Sequence, residues 1–145
     1  MTIVQKNENL IEVTFINKLL SLSHLNNKRK TMKIDDIRVF VPCKNYQQSC
    51  AFYQAMGFNV EQASADLSIA TSGECSVFIQ RYYNQEFAEN LMLQVCVLNI
   101  NEAFDIISKL ANFDIRFEGI KQEPWGKVIY LWGPSGELLH VTEFN

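Results

Sequence analysis

The chain has 145 residues, of which 48% are hydrophobic and 20% are charged, as in an ordinary globular domain. This length is enough for one domain with a sizeable core, but it is too short for two domains of ordinary size. The formal net charge is −3, so the chain lacks the overall positive field that attracts nucleic acid or an anionic membrane. We therefore expect one globular domain without nucleic-acid or membrane partners.

Cysteine spacing and the N-terminal residues bear on the compartment. No C-x-x-C pair occurs among the cysteines, which predicts reduced, buried thiols rather than a zinc cluster. The apolar run near the start is interrupted by Glu8, Glu12 and Lys18, unlike a secretory signal, and no stretch reaches transmembrane length. We expect a cytoplasmic protein. The four cysteines are Cys43, Cys50, Cys75 and Cys96.

Residues 1–33 have a different pattern from the rest of the chain. Ile11, Phe15, Leu19 and Leu22 recur at helical spacing, which predicts an amphipathic helix of roughly three to four turns. A polar, basic linker follows. Met32 opens a complete domain sequence, so it could be an alternative start. The apolar face of the helix could dock on the domain, bind a partner or have little consequence.

The first half of the domain begins with a strand and a capped helix. Residues 37–42 are mostly apolar and end at Pro42, which predicts a strand that stops at the proline. Asn45 with Gln48 three positions later forms a capping-box pattern. The helix should therefore cover residues 46–56 and end at Gly57. Further strands are predicted over residues 58–63, 67–71 and 75–82, with a turn at 72–74.

The second half repeats this order of elements after a polar linker at 84–90. Asn99 with Glu102 repeats the helix cap, and the helix should extend to about Leu110. The turn Gly133-Pro134-Ser135-Gly136 predicts a closing hairpin. The predicted strands are residues 91–97, 115–118, 128–132 and 138–144.

The chain therefore contains an internal repeat of two β-α-β-β-β units. Asn45 and Asn99 set the register between them. Each unit alone would leave one sheet face uncovered, so the two should share one core. We expect an N-terminal extension at 1–33 and a domain at 34–145, with module one at 34–83 and module two at 91–145.

Two motifs in this repeat resemble a known superfamily. IRVFVPCKNYQQSCAFYQAMGF, with its Ser49-x-x-Phe52-Tyr53 helix and Gly-Phe exit, resembles the opening of the vicinal oxygen chelate superfamily. That superfamily contains glyoxalase I, bleomycin-resistance proteins and extradiol dioxygenases. Trp125-Gly126 and the later Gly-Pro-Ser-Gly-Glu turn resemble its ending, with Gly133 in place of the usual aspartate. The resemblance covers residues 34–144.

The resemblance implies an α+β fold in which two modules form a cupped mixed sheet, with helices outside and a ligand in the concave cleft. Metal-dependent members use four His, Gln or Glu side chains from the first and last strands of each module. Spacing places these positions at Arg38, Gln80, Met92 and His140. Arginine cannot donate a lone pair to a cation, and a thioether is a poor ligand for hard metals. We therefore expect no metal and no cofactor.

A cleft without metal is expected to be apolar and aromatic with a few convergent polar groups, as in a small-molecule pocket. The resemblance to the bleomycin-resistance branch implies a metal-free small-molecule-binding protein, commonly a homodimer. No residue is assigned a catalytic role. The candidate ligand-binding residues are Arg38, Phe40, Phe78, Gln80, Met92, Gln94, Trp125 and His140.

Other interpretations remain open at this point. The protein could be a lyase, isomerase or dioxygenase of the same superfamily, with His140 as acid–base and Arg38 stabilising negative charge. Alternatively, the pocket could be vestigial and the N-terminal helix could mediate a protein contact. Structural roles are also open: Arg38 could pair with Asp35 or Glu143, His140 could be a satisfied, partly buried side chain, and Trp125 could cap the hairpin or pack at a dimer interface.

Overall fold

The computed structural model describes Thr14, residues 16–18 and residues 31–145. Thr14 and residues 16–18 are helical, and the remainder of the predicted N-terminal helix lies outside the described residues. The chain divides into two units, Met1–Ile37 and Arg38–Asn145. The fold described below is that of the second unit, and the domain boundaries drawn from the sequence stay predictions.

Module one has the order strand, helix and three strands. Its four-stranded sheet has the order β1-β4-β3-β2, in which β1 is parallel to β4 and the other pairs are antiparallel. The first and last strands of the module are therefore neighbours. The elements are β1 (Phe40–Pro42), α1 (Tyr46–Ala55), β2 (Asn59–Ser64), β3 (Leu67–Ser72) and β4 (Cys75–Gln80).

Module two repeats this topology with one strand divided in two. Its sheet has the order β5-β9-β8-β6, with β7 also paired to β8, and β5 is parallel to β9. The α+β class and the two β-α-β-β-β modules are confirmed. The elements are β5 (Met92–Cys96), α3 (Ile100–Ile107), β6 (Arg116–Phe117), β7 (Lys121–Glu123), β8 (Gly126–Trp132) and β9 (Leu138–Phe144).

The connection between the modules is more ordered than the sequence predicted. Residues 84–90 were expected to be a polar linker, but α2 (Gln85–Glu89) forms there. The side chain of Asn84 accepts a hydrogen bond from the Phe87 amide at 3.0 Å, which is an N-cap. The sequence did not indicate this helix because a single helical turn is too short to show a hydrophobic period.

Strand β7 was also missed, and several predicted strands are shorter than expected. Lys121–Glu123 is wholly polar, so it has no alternating apolar pattern. The first strand begins at Phe40 rather than at residue 37. An edge strand ends where its pairing with the neighbouring strand ends, and composition does not report that point.

Both predicted helix caps are present. The side chain of Asn45 accepts from the Gln48 amide at 3.0 Å. Asn99 accepts from the amides of Asn101 and Glu102, at 3.0 and 3.3 Å, and donates to the Glu102 carboxylate at 3.1 Å. Each asparagine thus satisfies amides that the first helical turn leaves without a backbone partner.

The two modules share one hydrophobic core, as the repeat predicted. Phe52 and Tyr53 of α1 are 0% and 1% exposed and belong to the same cluster as Ile107 and Leu139 of module two. The Phe52 and Phe113 rings meet edge to face at 5.8 Å between centroids. In α3, Ile107 is 2% exposed whereas its neighbour Ile106 is 44% exposed, so only some of the apolar residues of this helix face the core.

The β8–β9 turn joins the modules through polar side chains. Glu137 is fully buried and accepts from the Ser135 amide at 2.9 Å and from the Tyr53 hydroxyl at 3.2 Å. The Ser135 hydroxyl accepts from the Lys44 amide at 2.9 Å, at the entrance to α1. Burial raises the pKa of the Glu137 carboxyl, although the Ser135 and Tyr53 hydrogen bonds oppose the change. The turn therefore fastens module two to the helix of module one.

The same turn explains the glycine at position 133. A Cβ at Gly133 would overlap the Glu137 carboxylate. Any larger residue at position 133 would therefore require the buried Glu137 side chain to move. Gly136 has φ +94°, a backbone conformation that favours glycine.

Candidate functional site

Each sheet has one face toward the core and one face away from it, and the predicted site residues lie on the outward faces. On module one, Phe40 is paired with Phe78 and Pro42 with Gln80. Their rings and side chains alternate with core residues such as Val41 and so point outward. The Phe40 and Phe78 rings are edge to face at 5.0 Å.

Arg38 extends this outward face. Its guanidinium carbon lies 5.4 Å from the centroid of the Phe78 ring, within the range of a cation–π contact. Glu143, one of the acidic partners considered for Arg38, is hydrogen-bonded to the Ile100 amide at 2.6 Å. The arginine and the two phenylalanines therefore form a connected cationic and aromatic surface.

A cavity of about 550 Å³ opens beside this surface. Phe40, Gln80, Tyr82 and Phe87 are among its lining residues. Phe87 belongs to α2, the helix that sequence reasoning missed, and it is 65% exposed. Two of the predicted ligand-binding residues, Phe40 and Gln80, thus lie together in a cavity, with Phe87 as an aromatic neighbour that the sequence alone did not assign to it.

The outward face of module two contains the other predicted residues. Met92 is paired with Leu138 and Gln94 with His140 across β5 and β9. On the other side of β9, His140 is paired with Tyr130, and the two rings meet edge to face at 4.8 Å. His140 is partly buried, and the Tyr130 ring is its aromatic neighbour.

Two cationic residues on this face were not anticipated. The guanidinium carbon of Arg116 lies 3.4 Å from the centroid of the Trp132 ring. The ammonium of Lys121 lies 5.3 Å from the Tyr130 ring centroid and is also hydrogen-bonded to Glu118, which raises the pKa of the lysine. Alternation along β8 puts Trp132 on the same face as Tyr130, and this could have been predicted from the sequence. Arg116 lies on a strand of only two residues, and no sequence pattern gives the register of that strand.

Trp125 is separate from both groups. It lies in the turn between β7 and β8 and is 48% exposed. The next residue, Gly126, is paired with Phe144, at the opposite end of β9 from Leu138. The Trp125 carbonyl accepts from the Asn145 amide at 3.2 Å, so the tryptophan backbone holds the end of the last strand.

The eight predicted residues therefore fall into two groups and one separate residue. Arg38, Phe40, Phe78 and Gln80 share the outward face of module one. Met92, Gln94 and His140 share the outward face of module two. The cavity beside module one is lined by Phe40 and Gln80 of the first group and by no member of the second. Their common role in one cleft stays a prediction.

The repeat sharpens the comparison with metal-binding members of the superfamily. Aligning the two modules on their helix-cap asparagines makes Phe40 the counterpart of Gln94. Phe40 is paired with Phe78, and Gln94 is paired with His140. Phe78, rather than Gln80, is therefore the structural counterpart of His140. With Arg38 and Met92 at the other two positions, the donor set does not fit a divalent metal. Among the described residues, no group of three or more His, Cys, Asp or Glu side chains lies together.

Comparison with known proteins identifies the fold. No protein-family model matches the chain, and no curated protein matches it in sequence. Solved structures do match. A bleomycin resistance determinant encoded on the transposon Tn5 has a TM-score of 0.63 and 17% identity, with 77% of this chain and 99% of the other covered.

Two Streptomyces structures give the same result. The bleomycin-binding protein of Streptomyces verticillus, complexed with copper(II)-bleomycin, has a TM-score of 0.65 at 16% identity and covers 79% of this chain and 100% of its own. TnmS3, an antibiotic binding protein from Streptomyces sp. CB03234, has a TM-score of 0.67 at 15% identity with coverages of 79% and 100%. This chain has the fold of the glyoxalase and bleomycin-resistance proteins, as the motifs predicted, and identities this low establish the fold alone.

Among the described residues, no helix is both long and apolar enough to cross a membrane.

Proposed function

We propose that this protein binds a small molecule on the outward faces of its sheets and leaves it chemically unchanged. The observation that carries the proposal is the pair of arginine–aromatic surfaces, Arg38 on Phe78 and Arg116 on Trp132, at 5.4 and 3.4 Å. An arginine stacked on a ring is pre-organised to bind an anionic group while the surrounding rings pack against an apolar or planar body.

The ligand class follows from these groups. The described cationic side chains of the outward faces include Arg38, Arg116 and Lys121, and the apolar ones are largely aromatic. A planar or aromatic molecule with at least one negative charge is complementary to both features. Solved proteins of the same fold that bind bleomycin or another antibiotic support small-molecule binding as the general function.

Ligand screening by thermal shift tests this proposal. A panel of planar anionic compounds is screened against the wild type, and each hit is titrated against Arg38→Ala and Arg116→Ala. Loss of a charge-assisted hydrogen bond costs about 1.5–3 kcal/mol, so at least one variant should bind roughly ten- to a hundred-fold more weakly. Lys109→Ala, an exposed position after α3, is the matched control and should bind normally.

Arg116→Lys separates the charge from the stacked geometry. It keeps the positive charge but loses the planar guanidinium on Trp132. We expect it to bind more weakly than the wild type. Hits that bind equally well to both arginine-to-alanine variants and to the wild type would contradict the proposal.

We also propose that binding needs no metal, since the donor set Arg38, Phe78, Met92 and His140 suits none of the divalent metals. The alternative is a lyase, isomerase or dioxygenase with a degenerate site. Elemental analysis of protein purified without a chelator distinguishes metal-free binding from a metal-dependent enzyme. A stoichiometric nickel, zinc, iron or manganese signal would favour the enzyme.

A homodimer is the third part of the proposal. Phe40, Met92 and Phe144 are 48%, 61% and 52% exposed on the outward faces, and a second chain could cover apolar surface of this kind. Sedimentation equilibrium should give twice the mass of one chain. A monomer at micromolar concentration would contradict this part without affecting ligand binding by a single face.

A further inference from the structure

A second cavity borders the core-facing side of β5. Its volume is about 570 Å³, and it lies between the end of α1 and α3. Leu93 and Val95 of β5 line it with their core-facing side chains, and Gln94 also borders it. None of its lining residues is one of the arginines or of the aromatic residues that contact them, so the cavity differs from the surface proposed above to bind an anionic ligand.

The cavity wall is built from the edge of the shared core. Ile107, Leu139 and Val141 are at most 2% exposed and line its depth. Met56 and Phe58, at the end of α1, line it too and are partly buried. The two modules thus leave an apolar gap between their helices, and a volume of a few hundred cubic ångströms is typical of small-molecule sites.

The charges around the cavity indicate what could occupy it. Glu102 is the only charged side chain among the lining residues, and its carboxylate already accepts a hydrogen bond from Asn99 at 3.1 Å. None of the lining residues is a lysine, arginine or histidine. A ligand with a negative charge would lose its hydration there without gaining a cationic partner.

We propose that this cavity is a second small-molecule site, which takes a neutral, apolar ligand. The two sites would then differ in ligand chemistry, with arginines and aromatic rings on the outward faces and aliphatic side chains between the helices. Both sites include residues of strand β5.

Titration of the full chain with Nile red, a neutral apolar dye, tests the proposal. The wild type should bind one dye per chain with a saturable increase in fluorescence. Ala103→Phe places a ring in the cavity, because Ala103 lines it from α3, and should weaken binding at least ten-fold. Ala111→Phe adds the same ring at an exposed turn just after α3 and should bind like the wild type.

A second cavity variant and a second dye complete the test. Ile106 also lines the cavity and is 44% exposed, so Ile106→Trp can narrow the cavity even if Ala103→Phe fails to fold. It should also weaken binding. An anionic dye, anilinonaphthalene sulfonate, should compete poorly with Nile red for this site.

Opposite results would overturn the proposal. Absence of saturable Nile red binding by the full chain would do so, and so would unchanged binding by both cavity variants. Loss of Nile red binding in Arg116→Ala but not in the cavity variants would assign the dye to the outward face. None of these outcomes affects the separate proposal of an anionic ligand at the arginines.

Discussion

The β3–β4 turn and the β8–β9 turn occupy equivalent places in the repeat but do different work. Gly73 and Glu74 form the first turn; they are exposed, and a Cβ added at Gly73 would meet nothing within 4 Å. In the second turn, Ser135 and Glu137 are 3% and 0% exposed and contact α1 of the other module. One turn only reverses the chain, whereas the other also holds the modules together.

This difference teaches that a structural repeat fixes where a turn occurs, and side chains decide what the turn does. When the two modules are aligned by their strand pairing, Glu137 occupies the position that Cys75 has in module one. A buried carboxylate needs hydrogen-bond donors. The Ser135 amide and the Tyr53 hydroxyl supply them. The predictions below use this contrast.

Truncating Glu137 should produce the largest effect. Glu137→Ala leaves the buried Tyr53 hydroxyl and Ser135 amide without their acceptor, so we expect a loss of about 3 kcal/mol in the free energy of unfolding. Glu74→Ala, in the exposed turn, should change it by no more than about 0.5 kcal/mol. Urea unfolding of both variants measures the difference. Equal losses would show that the two turns are not distinguished by burial.

Gly133→Ala should have the next largest effect. Its Cβ would overlap the Glu137 carboxylate, and overpacking of this kind costs about 1–3 kcal/mol. In a Glu137→Ala background the overlap is gone, so the same substitution should cost much less. A double-mutant cycle by urea unfolding gives this coupling. Additive losses would contradict the steric explanation.

The smallest effect concerns pH. Burial raises the pKa of Glu137 above its ordinary value of 4.5, so the folded chain holds this proton more tightly than the unfolded chain. Its contribution to stability is therefore fully present below pH 4.5 and is lost as the pH rises through the folded pKa. The difference in unfolding free energy between wild type and Glu137→Gln should shift in favour of Glu137→Gln with increasing pH.

Urea unfolding of the wild type and of Glu137→Gln between pH 4 and pH 8 measures this shift. A constant difference between them would mean that the buried carboxyl does not titrate differently in the folded and unfolded chains.

Much of the fold was predictable because its signals are local. The caps at Asn45 and Asn99, the glycine after α1 and the closing hairpin are each read from a few neighbouring residues. The repeat then supplied the topology. The short helix α2 and the polar strand β7 were missed because neither contains an apolar period.

The candidate site was less predictable because it depends on register between distant strands. Alternation correctly grouped Met92 with Gln94, but the pairing of Arg116 with Trp132 depends on a strand of two residues. Nor could spacing reveal that Phe78 is the counterpart of His140, since this follows from the parallel ladders β1–β4 and β5–β9. Similarly, the partnership of Tyr53 with Glu137 spans 84 residues.

The position of β9 between β5 and β8 has a consequence for synthesis on the ribosome. The strand translated last in module two is central to its sheet, so β5 and β8 have no common neighbour until Leu138–Phe144 have emerged. Module one has all of its strands by Gln80, so its sheet is fully translated before β5 begins. The buried Tyr53 hydroxyl gains its acceptor, Glu137, only when module two is nearly translated.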